Sequence, residues 1–166
     1  MFPGFYRERA AISMEPPSSY RVSVINPYDC PIDARRLEVA VAAALQARSI
    51  SCADVRVLIT SNAEVQALNR RFRGIDEPTD VLSFPEEEGL PSGDIAIAAE
   101  FAADQAQAHG IAPDDEIVLL SIHGSLHLAG LDDQSDEERD QMVSQMNSIG
   151  SRLGLPVLEY WSSVHR

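Results

Sequence analysis

The stretch HGSLHLAGLDD, His123–Asp133, decides how this chain is read. His123 and His127 stand four residues apart, so on an α-helix their imidazoles stack on one face. That spacing lets two histidines hold one metal ion. Gly130 then ends the helix and lets the chain turn back sharply. Asp133, six residues beyond His127, can return an oxygen to the same ion. Two imidazoles and one carboxylate leave a coordination position open, the arrangement of a catalytic rather than a structural zinc site. The competing reading is a pair of core histidines that need polar partners if buried. The turn and the returning carboxylate favour the metal. Asp132 has two roles open to it: accepting the far N–H of a ligand imidazole, or serving the turn after Gly130.

Working outward, the helix carrying the histidines starts at Pro113 and Asp114 and runs to about Ala129, where Gly130 stops it. Ser135 begins a last helix with acids in its first turn and Met142, Met146, Ile149 and Leu153 as a core stripe. Upstream, Tyr20–Asn26 and Asp54–Ile59 read as strands, with a helix between them capped by Asp33 and reaching about Arg48. Ser61 or Asn62 caps a further helix that ends at Gly74. After a turn at Asp76–Thr79 comes a short strand, Val81–Phe84, flanked by prolines and therefore expected at a sheet edge. An acidic loop, Glu86–Ser92, leads to a strand at Gly93–Ala98 and a helix from about Ala99 to His109. The order β-α-β-α-β-β-α-α-α predicts an α+β fold: a single domain with a small mixed sheet of about four strands, about five helices packed on it, and the metal site on a buried helix. Residues 1–19, broken by Pro3, Gly4, Pro16 and Pro17, are expected to be a disordered tail dispensable for folding, with one domain over 20–166.

Composition narrows the function. At 166 residues and 45% hydrophobic content the chain can bury a proper core. No apolar run is long enough to span a bilayer, so no membrane partner is expected. The N-terminus lacks the pattern of a secretory signal, and Cys30 and Cys52 are read as free thiols, so a cytoplasmic location is expected. The net charge of −13 argues against a broad nucleic-acid-binding face. Any RNA must be held locally, and Arg70, Arg71 and Arg73 form the densest basic cluster. Read by spacing alone, that cluster is a solvated helix C-terminus whose charges face the dipole.

The layout H-x-x-x-H-x-x-G-x-x-ligand resembles the helix of metzincin peptidases. Those enzymes carry their general base, a glutamate, directly after the first histidine. Here that position is Gly124, so the metal frame is kept without the peptidase base.

A more specific resemblance is to the YbeY family, whose members carry a motif like H-G-x-L-H-L-x-G-Y-D-H. The segment matches it at His123, Gly124, Leu126, His127, Leu128, Gly130 and Asp132. LNRRFRGIDEPTDVLSFP, Leu68–Pro85, resembles a second family signature, and GDIAIA, Gly93–Ala98, a third. Two departures stand out: the family's third histidine is Asp133, and its tyrosine is Leu131. An aspartate ligand brings negative charge and lowers the Lewis acidity of the ion. It also makes manganese or iron more acceptable beside zinc.

The resemblance implies a metal-dependent, single-strand-specific endoribonuclease acting in ribosomal RNA maturation, notably at the 3′ end of the small-subunit RNA, and in ribosome quality control. It implies one Zn²⁺, or another divalent transition metal, per chain on His123, His127 and Asp133. Arg73 matches the family's catalytic arginine, and His123 joins it in the catalytic set. Single-stranded ribosomal RNA is the expected substrate, with ribosomal proteins or the small ribosomal subunit as partners. Two rivals are a metallopeptidase-like hydrolase, which Gly124 disfavours, and a non-catalytic ribosome-assembly factor whose metal is structural.

Overall fold

The computed structural model describes residues 19–87, 91–159 and Trp161. The expected tail therefore lies, apart from Ser19, outside the described residues. Nine elements follow in the anticipated order: β1 (Tyr20–Ile25), α1 (Ala34–Ala47), β2 (Ala53–Thr60), α2 (Asn62–Arg73), β3 (Val81–Pro85), β4 (Gly93–Ala98), α3 (Ala99–His109), α4 (Pro113–Leu128) and α5 (Asp136–Arg152). The strands form one sheet in the order β1-β2-β4-β3. β1 and β2 pair in parallel, as do β2 and β4, while β3 runs antiparallel to β4. The long helical connections permit the parallel pairs, and the short loop after Pro85 makes β3 and β4 an antiparallel hairpin.

β3 is an edge strand, as its prolines require. Pro85 does not end it but pairs with Gly93 at its last position, which an edge tolerates because one side of the strand needs no donor. The other boundaries move by a residue or so. Ser61 is the cap of α2 and accepts from the Glu64 N–H, while Asn62 is its first helical residue. Ser135 caps α5 in a reciprocal capping box with Glu138.

Alternation along the strands separates two cores. Val55, Val57 and Ile59 of β2 and Ile95 and Ile97 of β4 join a large core with residues of α1, α4 and α5, including Leu37, Leu120, Met142 and Met146. The opposite face, with Leu82, Ala96 and Ala98, meets Val65 of α2 in a smaller core. α4 lies at the centre, against β3, β4, α1, α3 and α5. Every residue from Glu116 to Leu126 is buried, because a helix apolar on all sides must be covered on all sides. Arg36 of α1 fixes its N-terminal end by pairing with Asp114 at 3.1 Å and with Asp115. The histidine pair is thus carried by the most deeply buried helix of the domain.

Candidate metal centre and active-site cleft

His123 and His127 occupy the C-terminal half of α4. His123 is 2% exposed, and His127 reaches farther into solvent. Their Nε2 atoms lie 3.0 Å apart. Leu131 N–H bonds back to the Leu126 carbonyl and Gly130 takes φ +93°, a left-handed conformation that favours glycine. That turn delivers Asp133, whose Oδ2 is 3.5 Å from His123 Nε2 and 3.6 Å from His127 Nε2.

The triangle of donors fits a divalent ion. Ligands held at 2.0–2.1 Å on a tetrahedron stand roughly 3.3–3.4 Å from one another, and the three edges here are 3.0, 3.5 and 3.6 Å. Among the described residues, this group is the one set of histidine, cysteine and carboxylate side chains placed to hold a metal ion. The tautomer agrees. His127 Nδ1–H donates to the Leu131 carbonyl at 2.9 Å, which leaves the Nε2 lone pair facing the other two donors. The pattern of histidines and turn gave the donors; the carbonyl that orients His127 is a backbone atom and left no mark in the residue types.

Asp132 takes the turn role. Its Oδ1 accepts from the Asp133 N–H at 2.8 Å, and its side chain is exposed. The orientation of His127 is instead the work of Leu131, whose own side chain is buried in the large core.

The donors open into a cleft of about 360 Å³, lined also by Arg73, Ser83, Pro85 and Gln134. Arg73, the last residue of α2, reaches across β3 and donates from Nη2 to the Ser83 carbonyl at 3.3 Å. Partial burial lowers its guanidinium pKa, and the nearby Asp133 carboxylate opposes that shift. The group stays charged in either case. The rest of the basic cluster separates from it. Arg70 pairs with Asp76 at 3.8 Å, and Arg71 lies over the Phe72 ring.

Behind the donors is a feature that spacing did not reveal. The Trp161 ring packs 5.0 Å from that of His123, and its indole N–H donates to Glu116 Oε1 at 3.0 Å. Glu116 is fully buried and also meets His109 Nδ1 at 2.9 Å. Burial pushes its carboxyl pKa up, against the hydrogen bond and charge of His109 and the hydrogen bond of Trp161. His109, which reads as a plain helix-end residue, is therefore part of the wall behind His123. The 52-residue separation in sequence between His109 and Trp161 hid that association.

Comparison with known proteins points to one family. The family model described as Endoribonuclease YbeY matches residues 28–154. A protein of that name from a Sulfurovum species is 40% identical over 118 residues, covering 66% of this chain and 79% of the relative. Another from Chloroflexus aggregans is 36% identical over 151 residues, covering 83% of this chain and 99% of the relative. A solution structure of a Thermotoga maritima protein superposes with a TM-score of 0.56 at 26% identity, covering 80% of this chain and 90% of that one.

Proposed function

Because the chain belongs to the YbeY endoribonuclease family, we propose that it cleaves single-stranded ribosomal RNA at the cleft between α4 and β3, with one divalent metal ion on His123, His127 and Asp133. It is an RNA-cleaving hydrolase by family. The finer assignment is processing of the 3′ end of small-subunit ribosomal RNA, and surveillance of ribosomes, in the cytoplasm. The observation that carries it is the convergence of the three donors and Arg73 on one cleft.

Bound there, a divalent ion supplies Lewis-acid stabilisation of the charge that develops on phosphate. The chain's own residues do the rest. His127 presents its Nε2 lone pair because the Leu131 carbonyl holds its Nδ1 proton. His123 is fixed by its burial in α4 and by the Trp161 ring. Phosphodiester cleavage builds negative charge on the phosphate oxygens, and the planar Arg73 guanidinium at the cleft wall can clamp two of them at once. Asp133 makes the donor set more negative than three histidines would, so it accepts zinc and also harder ions such as manganese or iron. With a net charge of −13, delivery to RNA is best served by a basic partner, such as a ribosomal protein of the small subunit.

The test is cleavage of labelled single-stranded and duplex RNA with and without added metal, with casein as a control, beside elemental analysis of the purified protein. Metal-dependent cleavage of the single strand alone supports the assignment. Casein hydrolysis would favour the peptidase rival. A metal-loaded protein that binds RNA without cutting it would favour the assembly factor.

A further inference from the structure

We infer that Phe72, between Arg71 and Arg73, is a stacking platform for a base of single-stranded RNA that neighbours the phosphate held in the cleft. The inference rests on the endoribonuclease reading and adds a subsite to it. Phe72 lies at the end of α2, where Val65 and Asn69 face the sheet. It continues their stripe but overhangs the sheet, because β3 is the outermost strand. The ring packs against Phe84 with centroids 5.2 Å apart and planes tilted by 56°, which fixes it in place. Even so, Phe72 is 58% exposed, and Ile75 beside it is 41% exposed.

The charge around this ring matches a nucleic-acid strand. In a chain of net charge −13, three arginines stand within four residues here. Arg21, Arg36, Arg56 and Arg139 are all paired with carboxylates. Arg71 has no carboxylate partner among the described residues and lies over the Phe72 ring, its Cζ 5.1 Å from the centroid. The next residue, Arg73, lines the metal cleft. An exposed aromatic ring with a guanidinium lying over it is a combination that holds unpaired bases irrespective of sequence, since a base stacks either on the ring or on the guanidinium plane. A base inside a duplex has no free face to offer, so this subsite would also select against paired RNA.

The experiment uses the full chain and a fluorescein-labelled, cleavage-resistant 2′-O-methyl single strand, with a matched duplex as the second probe. Phe72→Leu keeps the apolar contact with Phe84 and should keep metal content and melting temperature. It should weaken single-strand binding by about 5- to 150-fold, the range of one base–aromatic stack, and leave duplex binding unchanged. Phe72→Trp should restore binding, and its added emission should be quenched by the strand. The inference is overturned if Phe72→Leu binds the single strand as wild type does, if Phe72→Trp emission ignores the strand, or if wild type does not bind the strand. Wild-type cleavage with unaltered Phe72→Leu binding removes the platform and keeps the nuclease. Loss of binding in Phe72→Leu, with no cleavage by wild type, keeps the platform and removes the nuclease.

Discussion

Gly124 of α4 rests so closely on Ile95 of β4 that a Cβ at Gly124 would lie 2.8 Å from the Ile95 Cγ2 and 3.1 Å from the Ser83 Oγ. Ser83 Oγ–H in turn donates to the Gly124 carbonyl at 3.1 Å. The position that carries the general base in metzincin-like peptidases is here the contact by which the metal helix seats on the sheet. The peptidase rival lacks both its base and the room for one.

Gly124→Ala should therefore destabilise the fold, although alanine favours a helix by up to about 1 kcal/mol. Overpacking of a buried contact costs about 1–3 kcal/mol, and the methyl meets a stiff β-branched side chain. A net loss of up to about 2 kcal/mol would lower the melting temperature by several degrees. A thermal melt in which Gly124→Ala equals or exceeds wild type would show that Ile95 simply gives way.

Removing donors should separate the two adjacent aspartates. Asp133→Ala and His127→Ala should each lose most metal affinity, since one of three protein donors is gone. Asp132→Ala should keep it, because that carboxylate serves the turn. Asp133→His should also keep zinc, with a set of three imidazoles. Calorimetric titration with zinc decides the matter, and wild-type affinity in Asp133→Ala would require the site to be redrawn.

Arg73→Lys should retain fold and metal while losing most RNA cleavage, because an ammonium cannot make the planar two-point contact with a phosphate. The fall should lie mainly in kcat, as expected for charge stabilised in the transition state. Undiminished cleavage would return Arg73 to the role of a helix-end residue tied to the Ser83 carbonyl.

Glu116 should give stability a pH dependence of definite sign. Burial raises its pKa in the folded state, so the folded chain holds a proton that the unfolded chain releases. Its contribution is complete below the ordinary glutamate range, near about pH 4.3, and is lost as pH rises through the raised value. His109, Trp161 and, more distantly, Asp80 are the groups that set that value. Glu116→Gln does not titrate, so its melting temperature minus that of wild type should increase with pH over this window. A difference that stays constant with pH would show that no proton is retained.

What the sequence determined by itself was local. Hydrophobic period, caps and prolines set the nine elements and placed β3 at an edge, because each of these signals acts within a few residues of its own position. The i, i+4 histidines and the glycine turn marked the donors for the same reason. Only the tertiary structure decided between the two roles open to Asp132, setting its Oδ1 on the Asp133 N–H, because spacing does not say which way a carboxylate points. It alone brought Arg73 to the donors across β3, set Trp161 and His109 around Glu116, and pressed Gly124 onto Ile95. Apart from His109 and Glu116, seven residues apart, those contacts join residues distant in the chain, and the packing of α4 against the sheet, not any nearby residue pattern, decides which of them meet.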